Sequence, residues 1–388
     1  MTSEAGAAQR SELLVYLDSS DYSQLAEAEL GTSLAQVRGD LVALTQCKAA
    51  TFVYSDTHIC EMAPLDSKWT HHAVKRTDLL ANLCRKNCLV SIDRLIQIEL
   101  NQLRNRLNGK ASVISRDGTW FPEIEDIMRT LDRFKDQVND LVHEELSNIP
   151  QNRKLRRAFA SKLRSGLKTP RLDAKAVVAE FAMRHSDAQI IIDYISGRRS
   201  KARAEQAFLA SFRDPRWMMR WAQDHHSSMS KFTTWQRGPA EQLMLAMNPL
   251  IDAYSSLREN HPSSIYEDIN DNLWQRSTEE SLISIVQKLN TKAGFSFTTR
   301  DVEEYCPGIS TSVKVLASSL RNSFSLHARK PKASDFVDAI HAIHAPYVDI
   351  FRTDSYMAPI VKRHVSRYGT IVVPKLLDLP ASIHQLRS

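Results

Sequence analysis

Four carboxylates lie beside short apolar runs near the two ends of the chain, and their placement suits metal-ion chemistry. Asp18 directly follows the first apolar run, and Glu61 lies in the helix predicted after the second. Asp338 precedes a third run, and Asp354 follows it. Ligands bind beyond the carboxyl ends of strands in an open parallel sheet, so all four acids can meet at one edge. Close carboxylates repel one another unless cations lie between them, and oxygen-bound Mg²⁺ or Mn²⁺ suits that role and phosphodiester hydrolysis.

Strand signals are confined to the two ends of the chain. The predicted strands are the apolar-rich runs 13–17, 50–54, 349–352 and 369–373. Between these pairs the apolar residues repeat at steps of three and four, which is typical of helices. The helices predicted there are 89–107, 124–146, 153–167, 174–195, 202–212, 242–257 and 278–289.

The distribution of strands predicts a discontinuous α/β domain. Neither pair of strands alone makes a stable sheet with covered faces. The simplest solution is a small parallel-sheet domain built from residues 1–64 and 331–388, which together have the length of an ordinary domain. A large all-α domain, residues 65–330, is then inserted between them.

At the four acids the sequence resembles the PIN-domain family of nucleases. The matching pieces are 15–18, 53–61, 338–341 and 350–354. In that family four acidic residues in this order hold Mg²⁺ or Mn²⁺, and members cleave mostly single-stranded or structured RNA. The resemblance implies a PIN-like domain with Asp18, Glu61, Asp338 and Asp354 as metal-binding and catalytic residues. It covers about the outer third of the chain and implies nothing about the predicted insertion.

Each candidate also has a structural interpretation. Asp18 begins an Asp-Ser-Ser turn that suits a helix cap, and Glu61 also fits an exposed helix carboxylate. The auxiliary candidates beside the four acids are Asp335, Ser355 and Asp21. Asp335 also fits a helix cap or a charge that complements the helix dipole. His58 and His341 are interpreted as core or surface residues in preference to groups that orient a water or a phosphate.

The net charge of +6 is concentrated in one stretch of the chain. Residues 151–203 contain 14 Lys and Arg against 4 Asp and Glu. The nucleic-acid-binding candidates there are Arg153, Lys154, Arg156, Arg157, Arg198 and Arg199. If they share one surface they form a phosphate-binding patch, whereas the alternative is a set of solvated helix faces.

These observations favour a metal-dependent endoribonuclease with RNA as the substrate and DNA as the second choice. The alternative is a catalytically inactive PIN-like module that binds RNA or a protein. A regulatory or inhibitory protein partner follows by analogy alone. A phosphatase of the haloacid dehalogenase type needs a second Asp two residues after the nucleophile, and here Asp21 is three residues after Asp18.

The remaining composition predicts a cytoplasmic protein without a membrane partner. No apolar run approaches the roughly 18 residues that span a bilayer, and the N-terminus lacks the order of a signal peptide. The five cysteines are an odd number without ladder spacing, which fits a reducing compartment.

Overall fold

The computed structural model describes residues 12–64, 66–107, 112–121, 124–147, 173–180, 182–225, 271–290, 296–323, 329 and 331–387, together with the single positions 157, 241, 245, 248–249, 252–253 and 256. The strands are β1 (Leu13–Tyr16), β2 (Ala50–Val53), β3 (Cys88–Leu89), β4 (Ile114–Ser115), β5 (Ile350–Arg352) and β6 (Ile371–Val373). Among the described residues, no helix is both long and apolar enough to cross a membrane.

Helices make up most of the described chain. In the first half they are α1 (Ser19–Ala26), α2 (Ser33–Gln46), α3 (Asp56–Met62), α4 (Thr70–Cys84), α5 (Ile92–Asn105), α6 (Ile124–Ser147), α7 (Ala174–Glu180) and α8 (His185–Ile195). In the second half they are α9 (Lys201–Phe212), α10 (Pro215–Asp224), α11 (Asp271–Leu289), α12 (Thr299–Tyr305), α13 (Pro307–Asn322), α14 (Ala333–His341), α15 (Met357–Val365) and α16 (Leu379–Arg387). A 3₁₀ helix, Ala342–Tyr347, joins α14 to β5.

The two ends of the chain form one parallel sheet with the order β2-β1-β5-β6. Strand β1 lies between β2, where Leu13 is opposite Ala50, and β5, where Val15 is opposite Ile350. The Leu14 N–H also donates to the Asp349 carboxylate at 2.8 Å. The predicted α/β class with a parallel sheet is therefore confirmed.

Alternate residues of the central strands pack into two cores on opposite faces of the sheet. Val15 and Ile350 belong to a core that includes side chains of α1, α2 and α4. Tyr16 and Phe351 belong to the other core, with side chains of α13 and α15. This alternation follows from the pleat of a strand, where successive side chains point to opposite faces. Helices from the middle of the chain thus cover parts of both faces.

The segment predicted to be all-α, residues 65–330, contains the two-stranded antiparallel sheet β3–β4. Three predicted helices in this segment also differ from the structure. The helix predicted over 278–289 begins earlier, at Asp271. The helix predicted from residue 89 begins at Ile92, because Cys88–Leu89 is a strand whose Leu89 N–H donates to the Tyr54 carbonyl at 2.7 Å. The helix predicted over 174–195 is divided, because the Arg184 N–H donates to the Ser211 hydroxyl at 3.1 Å. The helix predicted over 153–167 and most of the one over 242–257 lie outside the described residues.

A buried carboxylate, Glu99 of α5, joins the middle of the chain to the segment before β5. Its two oxygens accept the N–H groups of Gly308 (2.6 Å) and Ile309 (3.0 Å) at the start of α13. The Tyr347 hydroxyl donates to the same carboxylate. Burial raises the pKa of Glu99 to about 7, although these donors oppose the rise. The contacts satisfy N–H groups that a helix start leaves without partners.

Candidate active site

Asp18 stands at the carboxyl end of β1 and caps α1. Its carboxylate accepts the Ser20 N–H at 2.8 Å, and its own N–H donates to the Asp21 carboxylate at 3.0 Å. Helix capping is thus one role of Asp18. Because the side chain is only half-buried, it also remains accessible at the edge of the sheet.

Asp21 lies beneath this edge in a buried ion pair. Its Oδ1 is 2.7 Å from Nη2 of Arg352, and both side chains are almost fully enclosed. Burial raises the pKa of Asp21 to about 7, and the Arg352 guanidinium limits that rise. The pair links α1 to β5, so Asp21 has a structural partner already.

Glu61 is held by His341, which comes from the other end of the chain. His341 Nε2 lies 2.7 Å from Glu61 Oε2, and its Nδ1 lies 2.5 Å from the Tyr16 hydroxyl. The Tyr16 hydroxyl also lies 2.8 Å from Ser55 Oγ. Burial raises the pKa of Glu61, but His341 outweighs burial and holds that pKa at about 2. These bonds join β1, α14 and α3 into one polar network.

His58 extends this network to the backbone at the end of β1. The Ser55 N–H donates to His58 Nδ1 at 3.1 Å, so His58 Nε2 carries the proton that is donated to the Leu17 carbonyl at 2.8 Å. Burial, with the nearby His341, keeps the pKa of His58 well below its usual value. His58 is therefore a neutral core residue that fixes the backbone where β1 ends.

Asp338 and Asp354 reach the same edge from either side of β5. Asp338 lies one helical turn before His341 on α14. Its pKa is raised to about 8 by burial and by the carboxylates of Asp18, Asp354 and Glu61, with His341 opposing them. Asp354 is exposed, and its carboxylate accepts the Met357 N–H at 2.7 Å at the start of α15. Asp18, Glu61 and Asp354 thus all lie near enough to Asp338 to raise its pKa.

The auxiliary candidate Asp335 is engaged at the start of α14. Its carboxylate accepts from the Arg329 guanidinium at 2.6 Å and from the Lys332 N–H at 3.0 Å. The capping interpretation of Asp335 therefore describes its contacts. Ser355, the other candidate after β5, is exposed in the turn that follows Asp354.

Sequence reasoning missed Tyr16, Ser55 and Arg352. Tyr16 and Arg352 lie inside strand runs, and their apolar neighbours gave them the appearance of ordinary core positions. The polar groups of Tyr16 and Arg352 within otherwise apolar strands could have indicated the network, because buried hydroxyl and guanidinium groups nearly always have partners. The histidines were interpreted as core or surface residues, and both His58 and His341 are buried within the network.

The structure describes only part of the predicted basic patch. Arg153, Lys154 and Arg156 lie outside the described residues, and Arg157 is exposed and helical. Arg198 and Arg199 are exposed just after α8 and form ion pairs with Asp193 at 2.9 and 3.9 Å. Both arginines therefore pair with the same carboxylate, that of Asp193.

The four acids supply the donor type that Mg²⁺ and Mn²⁺ prefer, namely carboxylate oxygen. Burial is the largest cause of the raised Asp338 pKa, and the neighbouring carboxylates, whose repulsion a cation would relieve, add to it. Among the described residues, no three His, Cys, Asp or Glu side chains already form a group arranged to hold one ion. The donor chemistry of the four acids is thus the feature that suits such an ion.

Comparison with protein-family models, with curated proteins and with solved structures finds no match for this chain.

Replacing His341 with alanine is expected to raise the pKa of Glu61 from about 2 to above its usual value, because burial then dominates. In the parent, the lowered Glu61 pKa stabilises the folded protein at pH values above the usual Glu pKa. This stabilisation is lost as the pH falls through the pKa of the folded state. The variant should lose about 2–3 kcal/mol of that stability near neutral pH.

Carbon-detected NMR of the Glu61 carboxyl across a pH titration tests this expectation, with urea denaturation near neutral pH as the stability measurement. His384→Ala is the control, because His384 is exposed on α16. A Glu61 pKa that stays near 2 in the His341 variant would contradict the role given to His341.

Proposed function

We propose that the protein is a metal-dependent endoribonuclease of the PIN-like type. The observation that carries this proposal is the convergence of Asp18, Glu61, Asp338 and Asp354 on one edge of the sheet. The two halves of this set come from opposite ends of the chain and meet because β1 pairs with β5. Such an edge is where open parallel sheets bind their ligands.

The electrostatics of the acids support the proposal. Helix caps and ion pairs explain Asp21 and Asp335, but among the described residues Asp338 has no hydrogen-bond donor for its carboxylate. A partly buried carboxylate that faces other carboxylates destabilises a fold and is retained at functional sites. Bound Mg²⁺ or Mn²⁺ would supply a water of lowered pKa and charge stabilisation for the leaving oxygen.

The residues of this chain have distinct tasks in the proposed site. Asp18, Asp338 and Asp354 offer oxygens at the open edge of the sheet. Glu61 offers Oε1, since its Oε2 is bound to His341. The Tyr16–His341 pair orients Glu61 from within the core. The Glu61 carboxylate is therefore already ordered before an ion or RNA binds.

RNA is the proposed substrate, with DNA second, and this part of the proposal has separate support. The net charge is +6, and its excess lies in residues 151–203. Cationic side chains attract the phosphate backbone and make binding sensitive to salt. We propose that residues 65–330 select the RNA; a regulatory protein partner is proposed by analogy alone.

The alternative is a module that binds RNA or a protein without cleaving it. Two observations favour it. His341 already neutralises Glu61, and no metal-ready group of three side chains lies among the described residues. A non-catalytic module would bind RNA equally well with and without divalent ions.

Incubation of the full chain with a single-stranded and a structured RNA tests the proposal. Cleavage is expected with Mg²⁺ or Mn²⁺ and is expected to stop with a chelator. Asp18→Asn should reduce the rate by about 10²–10³-fold, as the loss of one charge-stabilising group does. Glu29→Gln, at an exposed position on the surface, is the matched control. RNA binding without metal-stimulated cleavage in the parent would establish the alternative.

A further inference from the structure

A cationic cavity lies among helices of the middle segment and shares no residue with the acidic edge. Its volume is about 600 Å³, within the range of small-molecule sites. The cavity lies where the end of α4 meets α9 and the start of α10. Its charged lining residues are Arg85, Lys86, Arg184, Arg213, Arg216 and Asp214.

Three of the arginines are held in place by neighbours. Arg184 donates to the Ala210 carbonyl at 2.8 Å and to Asp214 at 2.7 Å. Arg213 donates to Thr119 at 3.2 Å and to Asp117, and Arg216 lies 3.6 Å from Asp78. Guanidinium groups that are already ordered lose little conformational freedom when they bind an anion.

Arg85 and Lys86 supply charge that no acidic side chain in the described part of the chain pairs with. Both are exposed just after α4, and neither side chain has an acidic partner among the described residues. The backbone of Arg85 has φ 55°, a conformation that is uncommon for a residue other than glycine. Four carboxylates, Asp78, Asp117, Asp187 and Asp214, pair with the three arginines, so the positive charge left for an anion is that of Arg85 and Lys86.

The rest of the lining is apolar and indicates an organic anion. Ala81, Leu209, Ala210 and Pro215 provide carbon surface beside the guanidinium groups. Arginine binds phosphate with two parallel N–H groups, and its plane also stacks on rings. We infer that this cavity binds a nucleoside phosphate, either as a free nucleotide or as part of an RNA strand.

Calorimetric titration of the full chain with AMP, with ATP, with inorganic phosphate and with a short oligoribonucleotide tests this inference. The probe variant is the double replacement Arg85→Ala/Lys86→Ala. The control is Lys362→Ala/Arg363→Ala, which removes the same charge from two exposed positions on α15. Thermal denaturation of each variant checks that the fold is retained.

The probe variant is expected to bind the nucleotides about tenfold more weakly, which corresponds to about 1.4 kcal/mol. The control should bind them as the parent does. AMP or ATP binding at least as tightly as the oligoribonucleotide identifies a free nucleotide. Tighter and strongly salt-dependent binding of the oligoribonucleotide identifies an RNA strand. Equal binding by probe variant and parent, or no nucleotide binding by the parent, overturns the inference. None of these outcomes depends on RNA cleavage.

Discussion

Asp338→Asn is expected to slow RNA cleavage severely and, without divalent ions, to make the protein more stable. The loss of rate should be on the order of 10³-fold, because a negative oxygen at the centre of the site becomes neutral. The stability should increase because asparagine has nearly the same shape and does not repel Asp18, Asp354 and Glu61. A substitution that removes activity and stabilises the fold is the behaviour of a site kept for function.

The pKa of Asp338 sets the pH range of this stabilisation. Its value of about 8 lies above the usual 3.8, so the folded protein holds a proton that the unfolded chain releases. The parent therefore loses stability as the pH rises from the usual Asp range to about 8. Above this pH range the variant should be more stable than the parent by about 1–3 kcal/mol, a modest gain because the side chain is only partly buried. Below pH ~4 the two proteins should be almost equally stable, because Asp338 is then protonated in both the folded and the unfolded state.

Urea denaturation in chelator at several pH values measures this difference. Asp378→Asn, at an exposed position before α16, is the control and should show no such pH dependence. A loss of stability in Asp338→Asn at high pH would mean that the carboxylate has a stabilising partner. That result would remove the main electrostatic support for the proposed site.

Gly308→Ala is expected to destabilise the protein by about 2–4 kcal/mol, although the same change usually stabilises a helix. A Cβ at Gly308 would lie 2.5 Å from the Ile343 carbonyl oxygen and 2.7 Å from Glu99 Oε1. The carbonyl belongs to the backbone of the 3₁₀ helix and cannot rotate away. The start of α13 must then move, and the bond between the Gly308 N–H and Glu99 is lost.

The chain offers a matched control in Gly39. This glycine is also helical, on α2, and nothing lies within 4 Å of the position that its Cβ would occupy. Gly39→Ala should stabilise the protein by about 0.5–1 kcal/mol. Chemical denaturation of both variants measures the opposite signs. A gain in stability in both variants would show that α13 and the 3₁₀ helix are not tightly packed at this point.

The strands at the chain ends could be predicted because each is a short apolar run with polar or turn residues on either side. Val15 and Ile350 are buried on the same face, as such runs indicate. The pairing of β1 with β5 could be predicted because neither the N-terminal nor the C-terminal pair of strands makes a stable sheet alone. Strand β3 was missed because two residues carry no periodicity, and its bond to Tyr54 is a long-range contact.

The candidate site was only partly predictable. The positions of Asp18 and Asp354 follow from the strands that precede them. The partners of the acids do not, because an ion pair such as that of Asp21 with Arg352 depends on which strands become neighbours. Asp335 shows the same limit, since a helix cap and a metal ligand have the same sequence pattern.

The central position of β1 has a consequence for the synthesis of this protein. The Leu14 N–H and the Asp349 carboxylate that accepts it are separated by 335 residues. A ribosome that adds about 5–20 residues per second needs roughly 15 to 70 seconds to bridge that interval. During this time Asp18 and Glu61 are made, but Asp338 and Asp354 are not. The proposed site can therefore assemble only after nearly the whole chain has been synthesised.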